Sequence, residues 1–385
     1  MYNNNQTNIS NWDDLENIKL DLLRGIYGYG FEHPSPIQKE AIMPLFNKKD
    51  VIAQAQSGTG KTGCFAIACL QLVNPNINSP QALVLSPTRE LSYQSNNVIS
   101  EIGNQIKNLK TQLLVGGTSP EDDIYNLQQN KPQIIVGCPG RVHDMLRRKK
   151  LNLSSLNIIV LDEADEMLSQ GFKEQVYNIF QFLPKDIQVA LFSATMPNEL
   201  YSLTEKFMRE PEKILVKNQQ LTLEGIRQYV VYLENDTQKY DTIKDLFNSI
   251  SVSQCIIYCN SVRRVNDLYE AMIADNFPVC QIHSNMSKEE RDTSYFEFKS
   301  GRYRVLISSN LTARGIDIQQ VSTVINFDIP KDIHTYIHRI GRSGRWGRKG
   351  MGINFTTQRD CKKIKEIQEF YNTIIEELPE NFMDL

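Results

Sequence analysis

Ala55-Gln56-Ser57-Gly58-Thr59-Gly60-Lys61-Thr62 follows a short apolar run, Asp50-Val51-Ile52-Ala53-Gln54, and leads into Gly63-Cys64-Phe65-Ala66-Ile67-Ala68-Cys69-Leu70, which reads as a helix. Strand, glycine-rich loop and helix in that order is the context a phosphate-binding loop needs. The glycines let the backbone of Ser57, Gly58, Thr59 and Gly60 turn so that several N–H groups point at one anion. The helix N-terminus adds partial positive charge at the same spot. In such a loop Lys61 is a point cation for the β- and γ-phosphates, and the Thr62 hydroxyl is a Mg2+ ligand. The usual pattern opens with Gly, and Ala55 stands there. On these eight residues alone, an ordinary glycine-rich turn remains the other reading.

Outward from the loop, apolar runs alternate with helical patterns. Strands are expected at 50–54, 81–86, 110–115, 133–137, 157–161, 187–192 and 213–216, with helical periodicity between them, as over 90–107 and 172–182. The polar run 217–225 breaks the pattern. Alternation then resumes with strands near 227–233, 254–259, 278–282, 303–307, 321–325 and 351–356. This predicts two tandem α/β domains, each a mainly parallel sheet with helices on both faces. Their bounds are expected at 12–217 and 226–385, with a linker at 218–225 and a disordered Asn-rich leader over 1–11.

The chain has 385 residues, 41% hydrophobic and 23% charged, with a formal net charge of -3. Bulk charge therefore does not draw it to nucleic acid, and any such binding needs a local patch. Seven cysteines without a CxxC pair point to free thiols in a reducing compartment, with Cys255 and Cys259 as core residues of a strand. No apolar run approaches the roughly 20 residues of a membrane span, and a cytoplasmic protein is expected.

Chemistry-bearing residues cluster at strand ends, where ligands bind in parallel sheets. Before the loop, Pro34-Ser35-Pro36 starts a helix carrying Gln38. Gln38 suits a cap, and its amide also matches the N6/N7 edge of adenine. Trp12 offers either a packing residue or a stacking face. Pro87-Thr88-Arg89, Gly116-Gly117 and Pro139-Gly140-Arg141 each follow a strand, and Arg89 and Arg141 are candidates for nucleic acid phosphates. Asp162-Glu163-Ala164-Asp165 follows the apolar run Ile158-Ile159-Val160. A first acid there suits Mg2+ held through water, and the second suits a general base for an attacking water, so Asp162 is the metal candidate and Glu163 the base. Ser193-Ala194-Thr195 closes the next strand and by itself fits helix capping. In the second half, Asn260, Ser309, and Gly315-Ile316-Asp317 follow strands. From Lys331 to Gly350 six Lys/Arg stand against the single acid Asp332, and glycines break the run so that Arg342 and Arg345 fall on a tight loop suited to phosphate.

In this order the motifs resemble those of DEAD-box RNA helicases over nearly the whole chain, with Asp162-Glu163-Ala164-Asp165 carrying the name. Leu22–Tyr27, Leu221–Ile226 and Phe370–Thr373 look closest to the translation initiation factor 4A subfamily. The resemblance implies two RecA-like domains acting on ATP and single-stranded RNA or a short RNA duplex, and it makes Ala55 an ordinary opening for the loop. By resemblance, Gln38 reads adenine with Trp12 at the upstream aromatic position. Arg342 and Arg345 are arginine fingers, Asp317 touches the ribose, and His338 couples to Ser193 and Thr195. RNA contacts fall on Pro87, Thr88, Arg89, Gly117, Gly140, Arg141, Asn260, Arg291, Ser309 and Gly315. Four positions depart from the family pattern: Cys138 for Thr, Lys288 for Gln, Asn285 for Asp and Asn310 for Asp. The resemblance implies an RNA-dependent ATPase that unwinds short duplexes in mRNA recruitment, a monomer when alone, with a helical-repeat scaffold initiation factor as partner. An ATP-dependent RNA clamp, as in the exon junction complex, carries the same motifs. A P-loop ATPase that ignores RNA is disfavoured by the basic cluster.

Overall fold

The computed structural model describes residues 9–55, 59–169, 171–215, 226–249, 254–310, 321–341, 343 and 350–379. The chain forms two compact units, 1–216 and 217–385; the expected linker 218–225 lies outside the described residues. Of residues 1–11, expected to be a disordered leader, 9–11 belong to the first unit. Ile9 is buried in its core, and the Ser10 and Asn11 N–H groups both donate to the Asp14 carboxylate at 2.8 Å.

The first unit's strands are β1 Val51–Gln54, β2 Ala82–Leu85, β3 Thr111–Leu114, β4 Ile134–Gly137, β5 Ile158–Asp162, β6 Gln188–Ser193 and β7 Glu212–Leu215. The second unit's are β8 Ile226–Leu233, β9 Cys255–Tyr258, β10 Val279–Ile282, β11 Val305–Ser308, β12 Thr323–Asn326, β13 Gly350–Thr357 and β14 Glu376–Glu377. Each set makes a seven-stranded sheet, in the orders β3-β4-β2-β5-β6-β1-β7 and β10-β11-β9-β12-β13-β8-β14. Every pairing among the described residues is parallel. The second order is the first shifted by seven strands, so the units repeat one topology without an evident sequence repeat.

The period of two in the strands fills both faces of each sheet. Val51, Ala53, Ala82, Val84, Ile158 and Val160 enter one core with the helices Pro36–Phe46 and Lys61–Leu72. Their neighbours Ile52, Leu83, Leu85, Ile159 and Leu161 enter the opposite core with the helices Pro139–Arg147 and Lys173–Phe180. In the second unit Ile256 and Val324 face one core while Cys255, Ile257, Cys259 and Ile325 face the other, so the two cysteines are core residues. Among the described residues no helix is long and apolar enough to cross a membrane. Because all strands run the same way, the loops after β2, β3, β4, β5 and β6 leave the first sheet, and residues 259–260 after β9 and 309–310 after β11 leave the second, from the C-terminal edge.

Candidate functional site

The helix Lys61–Leu72 begins directly after Gly60, whose φ is +99°. A Cβ there would stand 2.7 Å from Ser35 Oγ and 2.8 Å from Gln38 Nε2, so only glycine fits. Buried Gln38 donates from Nε2 to the Gly60 carbonyl at 3.0 Å and accepts the Ser35 N–H at 2.7 Å, which ties the Pro-Ser-Pro turn to the loop. Ser57 and Gly58 lie outside the described residues.

Lys61 is 5% exposed, and its ammonium sits 3.1 Å from Glu163 Oε1. Glu163 links β5 to the helix Ala164–Ser169 with φ +48°, and its carbonyl accepts the N–H groups of Glu166 and Met167. A non-glycine residue in that left-handed region costs on the order of 1–3 kcal/mol. Here the sharp turn sets the carboxylate against the lysine. Asp162 is buried at the end of β5; burial first, and the Glu163 charge second, hold its carboxyl well above the usual carboxylate range, with Lys61 opposing. The Thr195 hydroxyl donates to Asp165 Oδ2 at 2.7 Å, the Ser193 hydroxyl to the Thr195 carbonyl at 2.6 Å, and the Ala55 N–H to the Ser193 carbonyl at 3.0 Å. The end of β6 is thereby tied to both the phosphate loop and the acidic turn.

A buried ammonium beside the open N–H groups of a helix start fits a polyphosphate. Among the described residues no three His, Cys, Asp or Glu side chains converge as a metal cage. Thr62, on the helix that starts at Lys61, and Asp162, buried at the end of β5 beside Glu163, are the candidates for an ion that also takes phosphate oxygens and water, which is the habit of magnesium. Trp12 is fully buried. Its indole N–H donates to the Phe31 carbonyl at 3.0 Å, and its ring stacks on Phe31 at 6.2 Å between centroids. The half-buried aromatic against the loop is instead Phe31, whose ring edge would be 2.7 Å from a Cβ on Gly63.

Pro87, Thr88 and Arg89 follow β2, where Thr88 caps the helix Arg89–Ile102 by accepting the Leu91 N–H at 3.3 Å. The Arg89 guanidinium lies across Gly116 and Gly117 after β3. Gly140 is exposed with open space where a Cβ would be, so a ligand backbone has room to approach it. Arg141 turns inward. It pairs with the buried Asp123 carboxylate, and it donates to the Thr118 hydroxyl at 2.9 Å and the Thr118 carbonyl at 2.8 Å. Burial raises Asp123 from its ordinary pKa against the pull of Arg141. Cys138, the departure beside them, places its thiol 3.5 Å from the Ser92 hydroxyl, and burial pushes it up to about 11.

In the second unit Asn260 follows β9, Ser309 follows β11, and Arg291 is half-buried on the helix Lys288–Lys299 after β10. Asn260 donates from Nδ2 to the Ile329 carbonyl at 2.7 Å and from its N–H to Asp328 Oδ2 at 3.0 Å. His338 is buried on the helix Ile333–Ile340. Gly315, Asp317, Arg342 and Arg345 lie outside the described residues. Three residues escaped the sequence reading: Asp123, Phe31 and, above all, Arg339. Arg339 is completely buried and joins Asn260, Asn310, Asn326 and the Asp328 carbonyl. A lone arginine between Tyr336-Ile337 and Ile340, with an asparagine at each of three strand ends, was the available signal.

Two repeated parallel sheets, the first with a phosphate loop facing an acidic turn, define a P-loop protein of the RecA-like helicase class. Residues 35–203 match the DEAD/DEAH box helicase model and residues 238–347 the helicase conserved C-terminal domain. The chain is 52% identical over 377 residues to the ATP-dependent RNA helicase eIF4A of Chaetomium globosum, covering 98% of this chain and 94% of that one. It is 50% identical over 381 residues to that of Coccidioides immitis, covering 99% and 95%. Among solved structures, S. cerevisiae Dbp5 bound to RNA and ADP BeF3 aligns with a TM-score of 0.87 at 36% identity, covering 96% of this chain and 95% of that chain. Mss116p bound to ssRNA and AMP-PNP aligns at 0.85 and 25% identity, covering 95% and 78%. The chain belongs to the DEAD-box helicase family, in its eIF4A-like branch.

Proposed function

We propose that this chain is an ATP-dependent RNA helicase, an RNA-stimulated ATPase that locally opens short RNA duplexes and serves translation initiation by helping recruit mRNA. The observation that carries this reading is the buried Lys61–Glu163 pair at 3.1 Å, on the same sheet edge as the Arg89–Gly117 loop. The RNA and adenine nucleotides bound by Dbp5 and Mss116p support the same two ligands here.

When ATP binds, phosphate oxygens take the place of Glu163 as partners of Lys61. The released carboxylate then accepts a proton from a water directed at the γ-phosphorus. Mg2+, held by Thr62 and Asp162, would supply charge neutralisation on the phosphate oxygens. Asp165, Thr195 and Ser193 keep the strained Glu163 turn in place. Trp12, Gln38, Asp317, Arg342 and Arg345 are proposed nucleotide-site residues, and His338 a coupling residue. RNA is proposed to run along Pro87, Thr88, Arg89, Gly117, Gly140, Arg141, Asn260, Arg291, Ser309 and Gly315. Contacts to its backbone make sequence preference weak. A cytoplasmic monomer recruited by a helical-repeat scaffold factor completes the proposal.

The test is ATPase activity with and without single-stranded RNA, together with strand displacement on a short duplex. RNA-stimulated turnover with displacement is expected. Stable retention on RNA without multiple turnover would favour the clamp, and ATPase that ignores RNA would refute both.

A further inference from the structure

Arg339 is 0% exposed, and each of its five N–H donors has an acceptor. Nε donates to Asn310 Oδ1 at 2.9 Å, Nη1 to Asn326 Oδ1 at 3.1 Å and to the Asp328 carbonyl at 2.7 Å, and Nη2 to Asn260 Oδ1 at 2.8 Å and again to Asn310 Oδ1. All of these oxygens are uncharged. The orientations of the Asn326 and Asn260 amides are fixed by further bonds. Asn326 donates from Nδ2 to Asn354 Oδ1 at 2.8 Å, Asn354 to the Tyr229 carbonyl at 2.9 Å, and Asn260 to the Ile329 carbonyl.

The nearby Asp328 carboxylate faces other cations: Arg264 Nη2 at 2.7 Å and buried Lys239 at 3.4 Å. Asp236, more exposed, shares both. Among the described residues, three cations, Arg339, Arg264 and Lys239, thus stand against two carboxylates, Asp328 and Asp236. Among the described residues no carboxylate pairs with Arg339; such burial is costly for a guanidinium, and it pushes Arg339 down to about 10. Asn310 is the exposed member of the acceptor set, the one through which this charge is open to the surface.

We propose that Asn310 is a positioning residue that holds Arg339 without cancelling its charge, leaving the β9–β11 edge beside Asn260 and Ser309 with a net positive potential that strengthens capture of an RNA backbone. This rests on the RNA reading under Proposed function. A carboxylate at 310 would hold the guanidinium more firmly and neutralise it, because charge-assisted hydrogen bonds are the stronger ones. Stability and RNA affinity then move in opposite directions, which a merely structural residue cannot produce.

The experiment compares wild type, N310D and N310A as full chains. It reads thermal unfolding and the binding of a labelled single-stranded oligouridylate with a non-hydrolysable ATP analogue, at low and high salt. N310D is expected to unfold at higher temperature yet bind RNA about three- to tenfold more weakly at low salt, the gap closing as salt screens the added charge. N310A should unfold at lower temperature and lose less RNA affinity than N310D at low salt, since the cation remains. The inference is overturned if N310D binds RNA as tightly as wild type at low salt, if it is less stable, or if N310A matches its RNA loss and salt dependence. Wild-type protein that binds no RNA would overturn the functional reading itself, and this inference with it.

Discussion

Gly117→Ala tests the arrangement of the first unit's strand-end loops, because its two consequences separate. Gly117 has φ +81°, and a Cβ there would lie 2.2 Å from Arg89 Nη1, 2.7 Å from Cζ and 2.9 Å from Nη2. The left-handed backbone costs an alanine about 1–2 kcal/mol, which in a unit of this size lowers the unfolding midpoint by roughly 2–8 °C. The overlap involves the far end of a flexible side chain, so Arg89 moves rather than the loop. A displaced guanidinium gives up a charge-assisted contact to phosphate, and RNA affinity should fall roughly tenfold or more. The assay is a double-mutant cycle with Arg89→Ala, read by urea unfolding and by RNA binding. In the Arg89→Ala background, Gly117→Ala should still lower stability but should cost almost no further RNA affinity. Additive RNA losses, or a Gly117→Ala protein that binds RNA normally, would refute the reasoning.

Glu163→Gln should retain ATP and RNA binding while multiple-turnover hydrolysis disappears; robust turnover would remove Glu163 from the role of base. Asp123→Ala strands buried Arg141 without its carboxylate and should cost about 3–5 kcal/mol in urea unfolding, whereas a change of a few tenths would mean that Arg141 is not held there. Asp162 contributes a component of the pH dependence. Its folded pKa is raised by burial and then by Glu163, so the folded state binds the proton more firmly than the unfolded chain, and stability falls as pH rises from about 4 toward neutrality. Asp162→Asn should remove that component and be the more stable protein near neutral pH in the absence of nucleotide. A wild-type advantage growing with pH would reverse the sign.

The strands were legible because most are buried on both faces and read as continuous apolar runs. Their bounds fall within two residues of expectation, the largest shifts being 303–307 against β11 Val305–Ser308 and 321–325 against β12 Thr323–Asn326, and β11 is the instructive one. That strand gains Ser308, a polar residue that is fully buried because its hydroxyl donates to the Ile282 carbonyl at 2.7 Å. β14, two exposed glutamates on the sheet edge, carried no apolar signal. Lys61 was legible from the glycine-rich loop it closes, and Asp162 and Glu163 because a charge set against the end of a buried strand is costly unless a partner or a ligand meets it. Arg339 was not, since a basic run looks alike whether its members face solvent or a core. Nor does sequence alone reveal that Arg141 bends back to an aspartate eighteen residues earlier, or which of its two readings, packing residue or stacking face, Trp12 takes; it is fully buried here.

Strand order was the other thing the sequence could not disclose, and it organises the candidate residues. In the first sheet the RNA candidates leave β3, β4 and β2, whereas the acidic turn, Ser193–Thr195 and the phosphate loop leave β5, β6 and β1. The division falls between neighbouring β2 and β5. In the second sheet the corresponding strands β10, β11 and β9 carry Arg291, Ser309 and Asn260, so the same division falls between β9 and β12. Arg339 spans that line: Asn260 and Asn310 bind it from the RNA side, and Asn326 with the Asp328 carbonyl from the other. A single guanidinium thus fixes loops on both sides of the boundary. A packed, fully bonded link of this kind holds both sets of loops in one arrangement, and the Asn310 side chain decides whether the guanidinium at its centre keeps its charge, which is why a change of one atom there is expected to alter the potential of the whole edge.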